Sequence, residues 1–303
     1  MNAPCRPNLF IVGAPKCGTT ALYTYLRNHP QVFMSPVKEP QFFAWDIFAH
    51  QRNVATLPEY LNCFSGADGQ KKIGEGSVAY LSSDKAAQEI KAFSPSAQII
   101  IMLRNPVEVM YAQYSQRIFD NMEHVHDFEA AVESNEERKW RSGRFEGQNI
   151  IRPGYRELSR FAQPVRRYFD VFGRENVHVV IYEDFRTDTG TAYAEVLRFL
   201  QVGPAPEMQY PIINANCRVR SMSVQEFLRH PPKRLRGLVR AAFSQSARAR
   251  AGNFLQRLNT VYETRPPICE NLKRRLEVEC KPDIEELSRL LGRDLSYWCE
   301  RPN

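Results

Sequence analysis

An apolar run, Leu9-Phe10-Ile11-Val12, ends at Gly13 and gives way to Ala14-Pro15-Lys16-Cys17-Gly18-Thr19-Thr20. Beyond it, Ala21, Leu22, Tyr25 and Leu26 recur at three- and four-residue spacing. A buried-type strand, a glycine-bounded loop and a helix in that order leave few options. A loop so placed turns backbone N–H groups and the positive end of a helix dipole toward an anion. Lys16, Cys17, Gly18, Thr19 and Thr20 are therefore candidate anion-binding residues, the two threonines adding hydroxyl donors. Glycine at both ends and lysine inside set the segment apart from an ordinary strand-to-helix turn.

The loop is not of the Walker A type. That pattern places lysine directly after its second glycine. Here Thr19 holds that position, and the lysine stands two residues before Gly18. The strongest strand candidate, Gln98 to Leu103, is followed by Arg104 rather than by an aspartate suited to Mg²⁺. A donor without a β,γ-triphosphate fits better than ATP. Lys72 to Gly76 and Val177 to Tyr182 are further strand candidates, and Pro106 is a favoured first helical residue. Near the C-terminus Ile284, Leu287, Leu290 and Leu291 share a helix face, with Gly292 as a stop. Strands alternating with helices predict an α/β fold: a P-loop-like, three-layer arrangement with a mainly parallel central sheet flanked by helices. No linker-like tract divides the 303 residues. One domain over 1–303 is expected, with 204–270, rich in proline and arginine, as the place for a lid or subdomain.

The formal net charge of +7 favours anionic ligands. Seven cysteines without a C-x-x-C pair argue against a disulfide framework or a zinc site, so a reducing compartment and no required metal are expected. No apolar run approaches the length of a membrane span, and the N-terminus has no signal-type apolar region. A cytoplasmic location is the expectation.

The glycine-bounded loop resembles the 5′-phosphosulfate-binding loop of sulfotransferases that use 3′-phosphoadenosine-5′-phosphosulfate (PAPS). Pro36-Val37-Lys38-Glu39-Pro40-Gln41-Phe42-Phe43 is similar to the K-E-x-x-F-F stretch of the heparan-sulfate and related bacterial sulfotransferases. In the family's order there follow Arg104-Asn105-Pro106, Arg152-Pro153-Gly154-Tyr155, Tyr182-Glu183-Asp184-Phe185, Asn214-Ala215-Asn216 and Leu291-Gly292-Arg293-Asp294-Leu295-Ser296-Tyr297-Trp298. The ordered set spans nearly the whole chain.

What the resemblance implies is sulfuryl transfer from PAPS to a hydroxyl or amine of a saccharide or small-molecule acceptor. Lys16, which its loop position already places near a bridging oxygen, would stabilise the leaving oxygen. Glu39 matches the family's catalytic glutamate and would take the acceptor's proton. Gln41 stands where some relatives have histidine, and Glu75, ending a neighbouring strand, is the second candidate base. Arg104 follows a buried strand, where open α/β sheets bind ligands; it matches the arginine that grips the 3′-phosphate. The family's serine eight residues further on is Ala112 here, and Ser115, roughly one helical turn later, is the candidate substitute. Arg218, Arg220 and Ser221 match a late loop that covers the nucleotide. A family lysine near the second strand is Gly76 here, which argues against assuming a heparan-like acceptor.

Two other classes stay open on the residues alone. One is a P-loop nucleotide kinase, opposed by the displaced lysine and the missing aspartate. The other is a catalytically degenerate nucleotide- or glycan-binding protein, favoured by Ala112 and Gly76 and opposed by Lys16 and Glu39. Residues 227 to 262 hold eight arginines and lysines and no acidic residue. That run reads either as a solvated face or as an acceptor-side surface for an anionic substrate. Nucleic acid is not expected, since no recognised motif accompanies the charge.

Overall fold

The computed structural model describes residues 5–48, 52–134, 153–204, 210, 217–219, 259–262 and 265–299. Its centre is a five-stranded sheet of β1 (Leu9–Gly13), β2 (Val32–Met34), β3 (Lys72–Gly76), β4 (Gln98–Leu103) and β5 (Val177–Ile181). All neighbours are parallel, in the order β2-β3-β1-β4-β5. Every residue of β1 and β4 is buried. Such unbroken apolar runs suit central parallel strands, which are covered on both faces.

The flanking helices are α1 (Thr19–Arg27), α2 (Trp45–Phe48), α3 (Leu57–Asn62), α4 (Ala86–Phe93), α5 (Pro106–Phe119), α6 (Phe128–Ser134), α7 (Tyr155–Leu158), α8 (Ala162–Phe172), α9 (Tyr182–Thr187), α10 (Thr189–Phe199) and α11 (Glu270–Leu291). α1 packs on β1, β2 and β3; α8 packs on α4, β5 and α11. The expected three-layer α/β arrangement with a parallel sheet is present. β6 (Cys217–Val219) and β7 (Thr260–Tyr262) form a second, antiparallel sheet.

Local chemistry explains the main boundaries. Asn105 caps α5, its Oδ1 accepting from the N–H of Val107 (2.9 Å) and Glu108 (3.3 Å), and Pro106 fills the first turn. α11 ends at Gly292, which takes the left-handed conformation (φ 65°). Asp283 on α11 reaches across to the start of α8, where its carboxylate accepts from the N–H of Phe161 (2.7 Å) and Ala162 (3.3 Å). One difference concerns β5. The predicted strand ran to Tyr182, but the chain turns helical there, and Tyr182 opens α9.

The carboxyl ends of β1 and β4 lie side by side although the strands are not consecutive. Open α/β sheets bind ligands at such a switch in order. Arg152, Asn214 to Asn216, Arg220, Ser221 and the basic run from 227 to 258 lie outside the described residues, as does most of 204–270. Among the described residues no helix is long and apolar enough to cross a membrane.

Candidate active site

β1 delivers the glycine-bounded loop to the carboxyl edge of the sheet. Gly18 sits at the head of α1 with φ 88°, and a Cβ there would lie 2.9 Å from the Tyr182 ring. The position therefore requires glycine twice, for its backbone angle and for the ring behind it. The first turn of α1 leaves N–H groups without intrahelical partners, facing the cleft above. Cys17 belongs to this loop only through its backbone. Its side chain is fully buried, its thiol donates to the Pro15 carbonyl (3.4 Å), and burial holds the thiol far from ionisation.

The cleft above the loop has a polar end and an aromatic end. Lys16, Gly18, Thr19, Thr20 and Arg104 line the first; Tyr25, Phe185 and Tyr210 line the second. Tyr25 stacks on Phe185 at 6.0 Å and meets the Tyr210 ring edge-on at 5.3 Å. Arg104 leaves the end of β4 with its guanidinium 4.7 Å over the Tyr182 ring. It donates to the Lys16 carbonyl (3.4 Å) and pairs with Glu108 (3.1 Å). Arg265 stands beside it. Burial and then the nearby Arg104 charge weaken the Arg265 guanidinium's hold on its proton. Its buried Nε has no hydrogen-bond partner among the described residues. The two guanidinium charges oppose each other, and an anion bound near them would offset both. The loop N–H groups, Lys16 and Arg104 thus give this cleft an end suited to anions, with the Arg265 charge nearby, and the aromatic end suits a planar base.

Ser115 is not among the residues lining this cleft. Its Oγ donates to the Tyr111 carbonyl (2.9 Å) one turn earlier in α5. Arg218 lies in β6.

A second cleft, of about 540 Å³, opens on the other side of the loop. Its polar lining includes Lys16, Lys38, Glu39, Gln41, Gln113 and Gln116, and Ile47, Phe48, Val78 and Leu158 form an apolar wall. Such a volume is ordinary for a small-molecule moiety. Lys16, Thr19 and Thr20 line both clefts, so the loop is the partition between them. Lys16 Nζ donates to Gln116 Oε1 (3.0 Å), and Gln116 in turn donates to Asp120 (2.9 Å). Glu39 is 28% exposed and pairs with Lys38 at 3.0 Å. A cationic amine and a carboxylate thus share one cleft wall, which is what proton transfer coupled to charge neutralisation needs. Among the described residues five non-glycine residues have left-handed φ, and Lys16, Glu39 and Gln41 are three of them. Backbone strain is concentrated where the chemistry would be.

Glu75 takes no part in either cleft. It is fully buried beneath the Lys38–Phe43 turn, where its carboxylate accepts from Tyr60 (2.8 Å), Tyr80 (2.7 Å) and Ser77 (2.7 Å). Burial pushes the carboxyl up to about 7, against the three hydroxyl donors, which lower it. No group of three or more metal-ligating side chains occurs among the described residues.

The scattered motifs meet behind Arg104. The Asn105 N–H donates to Glu183 (3.1 Å), and Asn105 Nδ2 donates to the Trp298 carbonyl (2.9 Å). Arg293 forks onto Asp184. Arg265 and the aromatic end were not foreseen. Tyr25 reads as one residue of an apolar helix stripe, and Arg265 precedes Pro266-Pro267 with no phosphate motif around it.

Comparison with known proteins gives the family and agrees with the fold. Residues 6–253 match the family model for the sulfotransferase domain. A crystal structure of a sulfotransferase from Alicyclobacillus acidocaldarius superposes with a TM-score of 0.71 at 28% identity, covering 98% of this chain and 100% of that one. Carbohydrate sulfotransferase 15 of Homo sapiens is 26% identical over 265 residues, covering 68% of this chain and 45% of that protein. The bifunctional heparan sulfate N-deacetylase/N-sulfotransferase 4 of Mus musculus is 25% identical over 208 residues, covering 65% and 22%. The chain thus spans less than half the length of these curated relatives. The match over residues 6–253, on this parallel sheet, places the chain in the sulfotransferase family.

Proposed function

We propose that the chain transfers the sulfuryl group of PAPS to a hydroxyl or amine of a saccharide or small-molecule acceptor. The observation that carries the reading is the shared wall: Lys16, Thr19 and Thr20 face both clefts. A sulfuryl group bound at the loop from the donor side would meet an acceptor held on the other side. PAPS supplies the sulfuryl group; the chain's own residues bind, orient and neutralise. Arg104 and Arg265 take the 3′-phosphate, the loop N–H groups take the 5′-phosphosulfate, and Tyr25, Phe185 and Tyr210 take the adenine. Glu39 receives the acceptor's proton as the new S–O bond forms. Lys16 faces the phosphate oxygen that becomes anionic as the old S–O bond breaks, and 3′-phosphoadenosine-5′-phosphate leaves. A saccharide acceptor is favoured by the carbohydrate and heparan sulfate sulfotransferases among the relatives.

Two variants test the roles. Glu39→Gln should keep product-nucleotide affinity while transfer falls roughly 10²–10⁴-fold, the usual worth of a general base. Lys16→Ala should lower turnover without a matching loss of product-nucleotide affinity, because its charge interaction grows as the leaving oxygen ionises. An unchanged turnover in either variant removes that residue from the chemistry.

A further inference from the structure

The turn that carries Glu39 is strained and has to be held. Glu39 and Gln41 both have φ near 60°. Three contacts fix the turn from below. The N–H of Glu39 donates to the Gly76 carbonyl (3.0 Å), that of Gln41 to Ser77 Oγ (3.1 Å), and that of Phe43 to Tyr80 Oη (3.4 Å). Phe42 stacks on the ring of Tyr60 at 4.5 Å and 11°. Ser77, Tyr80 and Tyr60 are also the three hydroxyls that donate to Glu75.

The direction of those bonds matters. A hydroxyl has one proton to give. Ser77 and Tyr80 spend theirs on Glu75, at 2.7 Å each, which turns their lone pairs toward the N–H groups of the turn. An ionised carboxylate accepts only, so it enforces this direction on all three hydroxyls. A donor at the same place would compete for the lone pairs that hold Gln41 and Phe43. Glu75 lines neither cleft, so it bears on the site through the turn and through the charge that it and Glu39 feel from each other.

We infer that Glu75 is a positioning residue: acting through Ser77, Tyr80 and Tyr60, its carboxylate sets the geometry of the turn that aims Glu39 at the acceptor. The inference rests on the reading of Glu39 as the base.

The test uses the full chain with Glu75→Gln, assayed above neutral pH, and reads amide hydrogen exchange alongside kinetics. Exchange over residues 39–44 should rise while that of the phosphate loop, 13–20, stays as in the parent. Turnover should fall about ten- to hundredfold, the scale of a small misplacement of a catalytic group, with affinity for 3′-phosphoadenosine-5′-phosphate unchanged. In the Glu39→Gln background, Glu75→Gln should cost no further turnover, because its effect passes through Glu39. Parent-like exchange and turnover in Glu75→Gln overturn the inference. So does an additive loss in the double variant, or a loss shared equally by nucleotide affinity and the phosphate loop. Should Glu75→Gln not fold, Ser77→Ala removes the one hydroxyl that joins Glu75 to Gln41, leaving Tyr60 and Tyr80 on the carboxylate, and should give the same pattern in weaker form; parent turnover there overturns the inference as well. Full activity of Glu39→Gln alone would instead refute the base assignment, and the exchange data then decide by themselves whether Glu75 holds the turn.

Discussion

Replacing Gly18 by alanine asks how tightly the phosphate loop is built. Two costs can be separated. The φ of 88° is a conformation that a Cβ disfavours by about 1 kcal/mol. The new methyl would also sit 2.9 Å and 3.1 Å from two carbons of the Tyr182 ring, an overlap of the kind that costs about 1–3 kcal/mol in a packed site. Gly18→Ala should therefore lower the unfolding free energy by roughly 2–4 kcal/mol unless Tyr182 moves. If the ring moves, the Arg104 guanidinium above it moves too. Affinity for 3′-phosphoadenosine-5′-phosphate should then drop about tenfold or more, since each tenfold is about 1.4 kcal/mol. Urea unfolding and titration calorimetry read the two outcomes. Gly69 supplies the control: its φ is 74° but nothing lies within 4 Å of its would-be Cβ, so Gly69→Ala should show the conformational cost alone. In a Tyr182→Ala background the steric part should vanish, leaving Gly18→Ala no worse than Gly69→Ala. The reasoning fails if Gly18→Ala is as mild as Gly69→Ala in both assays, or if its cost is unchanged without the Tyr182 ring.

Three further outcomes follow from other contacts. Arg104→Ala should weaken binding of 3′-phosphoadenosine-5′-phosphate at least about tenfold while leaving AMP binding little changed, as befits a charge-assisted contact to the 3′-phosphate; equal weakening in calorimetry would remove that role. Asp283→Ala strips the cap that α11 provides to α8 and should cost about 1–2 kcal/mol in chemical unfolding, with Asp283→Asn recovering part of it; an unchanged midpoint would contradict the cap. Glu75 has its folded pKa raised from 4.5 to about 7, so the native state binds more protons than the unfolded chain between those values. Its contribution must then fall as pH rises through that window, by up to about 3 kcal/mol, and the stability difference between the parent and Glu75→Gln should decline over the same range; a flat difference would show that the carboxyl is not destabilised by burial.

The parts of the fold that were readable are those set by local chemistry. β4 is a six-residue strand whose last five residues form an apolar run, followed by Arg104 and an Asn-Pro cap, and Lys72–Gly76 and Gln98–Leu103 came through at their true bounds. β2 has only three residues and lies at the sheet edge, too short to carry a periodic signal. Pro282 sits inside α11, where local propensity alone would break the helix. At the site, residues that act through sequence-local patterns, such as the loop from Gly13 to Thr20, could be anticipated. Tyr210 could not, because it reaches the cleft beside Arg104 only through tertiary folding, and the same folding brings the Arg265 charge near Arg104. Glu75 illustrates the same limit differently. Its place at the end of β3 suggested a second base; three hydroxyls from different parts of the chain turn it inward instead.

The place of the glycine-bounded loop between two clefts has a consequence for redesign under the proposed reaction. Among the described residues, only Lys16, Thr19 and Thr20 touch both clefts. The remaining walls come from separate stretches: Arg104, Tyr182 and Phe185 on one side; Lys38 to Phe48, Val78 to Ser82 and Gln113 to Asp120 on the other. Libraries confined to the second group, with Glu39 and the Lys16 partner Gln116 held constant, vary one lining while leaving the other's residues as they are. The two linings thus meet at a three-residue seam, which under the proposed reaction marks where a search for new acceptors would stop.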